Sequence, residues 1–179
     1  SDGSSDNIFI GYDAGGGSWA NAASNENIGI GTEVMDAVMN GATVNVGIGH
    51  QALSALTDGD GNVAVGWKAL NDVTNGHANI AIGQSAGDVL DGGSGNVFVG
   101  QHAGGATTAA SYTVCIGTNA GDDAMTTAAN GTVAIGYQAL TSLTTGDKNI
   151  AIGQEAGKLI EDGVRNIAIG HQALRDAAG

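Results

Sequence analysis

Apolar and polar positions alternate in one short motif that recurs along the whole chain. In the copy 79–86 the order is Asn-Ile-Ala-Ile-Gly-Gln-Ser-Ala. With the Asn as column one, columns two and four are Ile or Val in all ten copies, column five is always Gly, and column eight is Ala in nine. The copies begin at Asn7, Asn27, Asn45, Asn62, Asn79, Asn96, Thr113, Thr132, Asn149 and Asn166. Steps of 17 to 20 residues predict a solenoid in which each copy is one coil.

Columns two to four predict a short β-strand. Ile80 and Ile82 lie two residues apart, so they point to the same side of the strand, and we expect that side to face the core. Ala81 then faces outward, and a small outward residue in most copies favours close approach by a neighbouring chain; an ordinary exposed strand is the alternative. Gly83 ends the strand, either because it needs a positive φ or because another backbone passes too close for a Cβ.

The remaining columns predict how each coil closes. Stacked Asn side chains, such as Asn79 above its neighbours, are expected to hydrogen-bond as a structural ladder. From Ala86 onward, apolar residues at i, i+3 and i+4 predict one to two helical turns before a Gly-containing loop. We therefore expect a mainly β solenoid, one domain over residues 1–179, with a strand, a helical turn and a loop in each coil. The turn is difficult to fit, because strands stack about 4.8 Å apart and a helix is roughly 10 Å wide.

Composition and charge narrow the classes of partner. Apolar residues make up 42% of the chain, and 18 acidic against 5 basic residues give a net charge of −13. This balance argues against nucleic acid and anionic membrane surfaces and favours solubility. No apolar run is long enough to predict membrane insertion. Cys115 is the only cysteine, which excludes an intrachain disulfide.

The search for catalytic and metal chemistry finds no site. Residues 58–62 begin like a calcium loop, but Ala69 stands where the twelfth-position acid belongs, and Asn62 is the Asn of a repeat. The four His residues fall in four different coils; in a trimer, one His from each chain could meet on the axis and bind a metal, and solvated side chains are the preferred interpretation. No Ser or Thr has a paired His and acid. We therefore predict neither an enzyme nor a cofactor or metal.

Aromatic side chains are the candidates for ligand binding. Tyr12, Trp67 and Tyr137 occupy column six, just after the strand, and Trp19 lies in the longest interval between copies. Exposed aromatics often hold sugar rings, and an inserted loop on a rigid scaffold often carries function. Packing onto a turn or a neighbouring chain is the alternative for the column-six residues.

Two copies carry a family resemblance. Asn-Val-Ala-Val-Gly-Trp-Lys-Ala-Leu (62–70) and Thr-Val-Ala-Ile-Gly-Tyr-Gln-Ala-Leu (132–140) resemble repeats of bacteriophage tail fibres and tail spikes. The Asn-x-Ala-Ile-Gly core is also similar, more loosely, to head repeats of trimeric autotransporter adhesins, whose period is shorter. The resemblance implies a homotrimeric β-solenoid on a virion or cell surface that binds surfaces, with a cell-surface glycan as a candidate partner. No catalytic residue is carried over, because none belongs to the repeat.

Four functions follow from these observations. The first is a self-associating fibre segment that contributes to attachment or acts as a spacer. The second is a subunit of an extracellular filament that polymerises end to end, since neither end shows an amphipathic cap. Ice binding ranks lower, because columns three and six hold no regular Thr array. Glycan cleavage ranks lowest, because no acidic pair marks a groove.

Overall fold

A computed structural model describes residues 3–19 and 22–176. Ten three-residue strands form one parallel sheet in chain order, β1 to β10. They are Ile8–Ile10, Ile28–Ile30, Val46–Ile48, Val63–Val65, Ile80–Ile82, Val97–Val99, Val114–Ile116, Val133–Ile135, Ile150–Ile152 and Ile167–Ile169. Equivalent columns pair without a shift: Ile80 lies between Val63 and Val97. The β-solenoid expected from the repeat is confirmed, with one strand per repeat.

The strands turn the opposite way from our expectation. Ala81 is completely buried, whereas Ile80 and Ile82 are 38% and 43% exposed. The same holds along the sheet: the middle residue is buried in every strand but the first, and none of the flanking Ile and Val residues is buried. The assignment of columns two and four to the core was wrong, because the interior of a 17-residue coil is too narrow for two branched side chains per strand.

Column three and column nine share the narrow interior by exchanging volume. Where column three is Phe98, column nine is Gly104, and a Cβ on that glycine would collide with the Phe98 ring. Where column three is Ala64, column nine is the fully buried Leu70. The compensation also runs between coils: Ala81 and Gly87 of the fifth coil are both small, and side chains of the adjacent coils, Leu70 and Phe98, fill the space beside Gly87.

The predicted helical turns are not found among the described residues. After each strand the chain makes successive tight turns, and the single helix of the described residues is a 3₁₀ helix, Thr127–Ala129, within the longer interval before the eighth copy. The apolar spacing that suggested a helix does identify buried residues, since Leu53 and Leu56 are both fully buried. The backbone differs because Leu53 adopts a φ of 55°. Residues with left-handed φ angles alternate with others in these turns. They keep the height of the turn within the spacing between stacked strands, which a helix would exceed.

The Asn ladder is confirmed. The Nδ2 atom of Asn79 donates to Oδ1 of Asn62 at 3.1 Å and to the carbonyl of Gly93 at 2.8 Å. Its own Oδ1 accepts from the backbone N and the Nδ2 of Asn96, both at 3.0 Å. These side chains are fully buried, so the ladder satisfies polar groups that water cannot reach. The two Thr copies interrupt the ladder. The backbone N of Thr113 still donates to Oδ1 of Asn96, but the Thr113 side chain has no amide group to continue the ladder.

The column-five glycine meets both conditions proposed for it. Gly83 has a φ of 136°, and a Cβ there would lie 2.6 Å from the carbonyl oxygen of Gly100 in the next coil. Only glycine allows the coils to approach this closely.

As for membrane insertion, the described residues include no helix with the length and hydropathy that crossing a bilayer requires.

Candidate functional site

The outward Ile and Val columns form one continuous apolar face. Each of the ten strands presents two β-branched side chains, and every one of them is at least partly exposed. With strands about 4.8 Å apart, the face is about 43 Å long. At roughly 50 Å² per side chain it amounts to on the order of 1,000 Å², more than a typical monomeric protein leaves exposed in one patch. We call this surface the apolar face.

Bends flank the apolar face on both sides. The leading bend is the residue before the repeat Asn, and it is left-handed in every coil, as at Ala78 with a φ of 55°. The trailing bend is the column-six residue after the Gly. The leading bends are Asp6, Glu26, Val44, Gly61, Ala78, Gly95, Tyr112, Gly131, Lys148 and Arg165. The trailing bends are Tyr12, Thr32, His50, Trp67, Gln84, Gln101, Thr118, Tyr137, Gln154 and His171. Charged side chains stand in some of these bends, as at Asp6, Glu26, Lys148 and Arg165, and none stands in the apolar face.

Three of the candidate aromatics lie in trailing bends and are exposed: Tyr12 at 76%, and Trp67 and Tyr137 at 48% each. They belong to the first, fourth and eighth coils, so the structure does not bring them together into one site. The ammonium of Lys68 lies 6.0 Å from the centroid of the Trp67 ring. Sugar binding by these rings stays a prediction.

Trp19 occupies a different environment from the other three. It is half-buried, and its ring meets the Phe9 ring edge to face with centroids 5.7 Å apart. Its Nε1 donates to the carbonyl of Gly15 at 3.1 Å. Phe9 fills column three of the first coil, so Trp19 packs against the core at that end of the solenoid. This contact supplies a structural role for Trp19; binding of a ligand there stays a prediction.

The acidic turn at 58–62 has internal partners. One carboxylate oxygen of Asp60 accepts from the backbone N and the hydroxyl of Thr43, both at 2.8 Å. The Nδ1 atom of His77 accepts from the backbone N of Asp60 at 3.0 Å, and Asn62 is committed to the ladder. No group of three His, Cys, Asp or Glu side chains within the described residues is placed to hold a metal ion.

The described part of the chain contains no concave pocket. The surface feature that remains is the apolar face with its bends. Sequence reasoning identified its residues but placed them on the inside, because strict alternation reveals two sides of a strand without saying which is buried. The exchange of volume between Phe98 and Gly104 was the available signal, since compensation requires both columns to share one interior.

Comparison with known proteins identifies no relative: no family model, curated protein or solved structure matches the chain.

Proposed function

We propose that this protein is a structural, self-associating fibre segment, of the kind found in phage tail fibres or cell-surface adhesins, whose copies join through the apolar face. The observation that carries the proposal is the unbroken double column of Ile and Val over ten strands, all of them at least partly exposed. The role is mechanical, as a spacer or an attachment element outside the cell or on a virion, and it requires no catalytic residue.

A second copy is the partner that fits this face. Branched side chains such as Ile80 and Ile82 have few rotamers, so they present fixed ridges with little entropy left to lose. The ridges repeat at the strand spacing, and another copy supplies grooves at the same spacing. The net charge of −13 opposes indiscriminate aggregation, which leaves a specific interface as the way to cover the face. Its size is also that of one side of a standard protein interface, about 800 Å².

Three copies around a common axis bury three such faces together. Each face is only two columns wide, so three of them converge on an axis and form a closed apolar core between the chains. The homotrimer is therefore the assembly we propose, and a rotation axis parallel to the solenoids keeps equivalent coils at equal height.

The test is the mass of the protein in solution, by light scattering coupled to size exclusion. We expect three chains for the unmodified protein and one chain for Ile82→Lys, because an ammonium on the apolar face cannot be buried without a partner. Val89→Lys is the matched control, since Val89 is also exposed, at 37%, but lies in the turns of the same coil. Circular dichroism of both variants checks that the solenoid is retained.

Other masses would exclude parts of the proposal. A monomer at all concentrations would contradict self-association. Fibres of indefinite length that persist in Ile82→Lys would instead support end-to-end polymerisation, the alternative function. A three-chain mass unaffected by Ile82→Lys would place the interface on another surface.

A further inference from the structure

Two glycines in the leading bends have no explanation within the chain. A Cβ on Gly61 would meet no atom closer than 4.0 Å, and one on Gly131 would be 3.6 Å from the Lys148 side chain, an ordinary contact. Their φ angles of 68° and 72° do not require glycine either, because Asp, Glu, Val, Ala, Tyr, Lys and Arg stand at the same bend in other coils. Gly95 is different: a Cβ there would press against the Tyr112 ring at 2.9 Å.

The coils with these two glycines also carry two bulky aromatic side chains. Gly61 and Trp67 flank the same strand, as do Gly131 and Tyr137. Each aromatic residue occupies a trailing bend and is 48% exposed. Each glycine therefore lies on one border of the apolar face, and a large aromatic ring lies on the other border at the same height.

Symmetry brings these two borders together between copies. Rotation about an axis parallel to the solenoid places the trailing bend of one copy beside the leading bend of the next, at the same coil. A two-fold axis perpendicular to the solenoid would instead place leading bends against leading bends, in reversed order. Only the first arrangement sets Trp67 and Tyr137 beside the glycines of their own coils.

We infer that the copies run parallel and in register, with Trp67 and Tyr137 of one copy packed over the bare backbone at Gly61 and Gly131 of the next copy. This inference rests on the proposed self-association through the apolar face and specifies its geometry. The glycines provide room for the aromatic rings, which bury apolar area at the border of the interface. With His neutral, the arrangement opposes no like charges: Asp6 meets Tyr12, Lys148 meets Gln154, and Arg165 meets His171.

Cysteine cross-linking tests the register. Ala78 and Gln84 are exposed and flank the fifth strand on opposite sides, so the double variant Ala78→Cys/Gln84→Cys places thiols on both borders. Cys115 is buried and does not compete for a thiol reagent. With a short bismaleimide we expect two-chain and three-chain products from the double variant. Neither single variant should cross-link, because each has a thiol on one border only.

Failure of the register is distinguishable from failure of the proposed function. If the protein has a multi-chain mass but the double variant gives no cross-linked product, the proposed register is overturned and self-association still stands. The antiparallel alternative predicts a two-chain product when Gln84→Cys and Gln101→Cys proteins are folded together, since those bends face each other across a perpendicular two-fold axis. A monomeric mass would instead remove the proposed function, and the register with it.

Substitution of the glycine tests the aromatic contact itself. Gly61→Arg is expected to fold, because Arg165 occupies the same bend with a φ of 57°. The substitution should raise the protein concentration at which half of the assemblies dissociate at least about tenfold. The reason is that the Arg side chain would occupy the space of the neighbouring copy's Trp67 ring. Ala78→Arg is the control, because its bend meets only the flexible Gln84. Equal association of the two variants would overturn the contact.

Discussion

At the scale of the residue, a few positions carry requirements that no substitution meets. Column five combines a backbone that only glycine readily adopts with an approach that leaves no room for a Cβ. In the last described coil the second condition is absent: Gly170 has a φ of 123°, but a Cβ there would meet none of the described atoms within 4 Å. The chain thus offers the same backbone with and without a neighbouring coil.

Gly83→Ala and Gly170→Ala separate these two requirements. We expect Gly83→Ala to lower the free energy of unfolding by about 3 kcal/mol or more, since backbone strain and a collision with Gly100 act together. Gly170→Ala should cost about 1–2 kcal/mol, from backbone strain alone. Urea unfolding followed by circular dichroism measures both. Equal losses would show that the close approach adds nothing.

Thr107 is a buried residue whose side-chain hydroxyl has no hydrogen-bond partner. It is fully buried in the column that holds Leu90 one coil earlier, and its hydroxyl has no hydrogen bond. Thr107→Val keeps the shape and removes the unpaired hydroxyl, so we expect a gain of about 1–2 kcal/mol in thermal or chemical unfolding. Thr132→Val is the opposite case, because the Thr132 hydroxyl donates to the carbonyl of Ala129 at 2.9 Å, and it should destabilise. A loss in Thr107→Val would point to an unseen partner for that hydroxyl.

At the scale of the element, the coils are joined by two kinds of hydrogen bond. Backbone bonds continue from the strands into the turns: the backbone N of Leu70, for example, donates to the carbonyl of Ala86 at 3.0 Å. The Asn ladder adds side-chain bonds inside the coil, where an interior amide such as Asn79 donates to the Asn of one neighbouring coil and accepts from that of the other. A ladder of this type polarises along its length, so an interior rung stabilises both neighbours.

Removal of one rung should be costly. Asn79→Ala deprives the backbone N of Asn96 and the carbonyl of Gly93 of their partners, and we expect a loss of about 2–4 kcal/mol. Asn79→Thr should cost less, because the chain itself uses Thr113 at this column. The exposed Asn75→Ala is the control, with a change within about 0.5 kcal/mol. Chemical unfolding compares the three, and a control-sized loss in Asn79→Ala would contradict a structural ladder.

The turns carry a carboxyl group whose titration affects stability. Burial raises the pKa of Asp122, while nearby His102 opposes the shift. A carboxyl whose pKa is raised on folding favours the folded state while it is protonated, and that contribution disappears as the pH rises from the ordinary Asp range through the raised value. Asp122→Asn should therefore stabilise the protein at neutral pH, with the advantage vanishing below about pH 3. The exposed Asp58→Asn is the control for loss of charge alone, and an advantage independent of pH would contradict the assignment.

The sequence predicted the elements better than their orientation. The repeat of Asn79, Ile80, Ile82 and Gly83 located every strand, and the ladder and the glycine requirement followed from the chemistry of those residue types. The inward and outward columns were assigned the wrong way round. Branched residues usually mark a core, and the narrow interior of a coil becomes visible only in the folded structure. The helical turns are not confirmed for a similar reason: apolar spacing reports which residues are buried and does not distinguish a helix from alternating left-handed turns.

At the scale of the whole molecule, the core and the apolar face are parallel columns of the same strands. Leu90 is fully buried in the interior of its coil, and Ile82, in the same coil, faces outward. The chain thus has a thin core of its own and a second set of apolar side chains outside it, which the proposed self-association would cover. Stability of the fold and stability of the assembly should respond to different substitutions.

Ile82→Ala and Leu90→Ala test this division. Leu90→Ala should lower the free energy of unfolding by about 2–5 kcal/mol at every protein concentration, as for a buried residue. Ile82→Ala should change little in dilute protein, and its cost should grow with concentration as the unmodified protein gains from assembly. Unfolding at several protein concentrations decides between them. A concentration-independent loss of about 2–4 kcal/mol in Ile82→Ala would mean that this column belongs to the core of the single chain.

The in-order parallel sheet also determines how the molecule bears tension. A pull along the solenoid axis acts on the hydrogen bonds between coils one coil at a time, because every strand pairs only with its neighbours in the chain. Each coil that peels away replaces about 4.8 Å of folded height with roughly 58 Å of extended chain, for 17 residues at about 3.4 Å each. A fibre built from such segments would yield in small steps and re-form them when the load falls, so that it absorbs a sudden strain as an extensible tether.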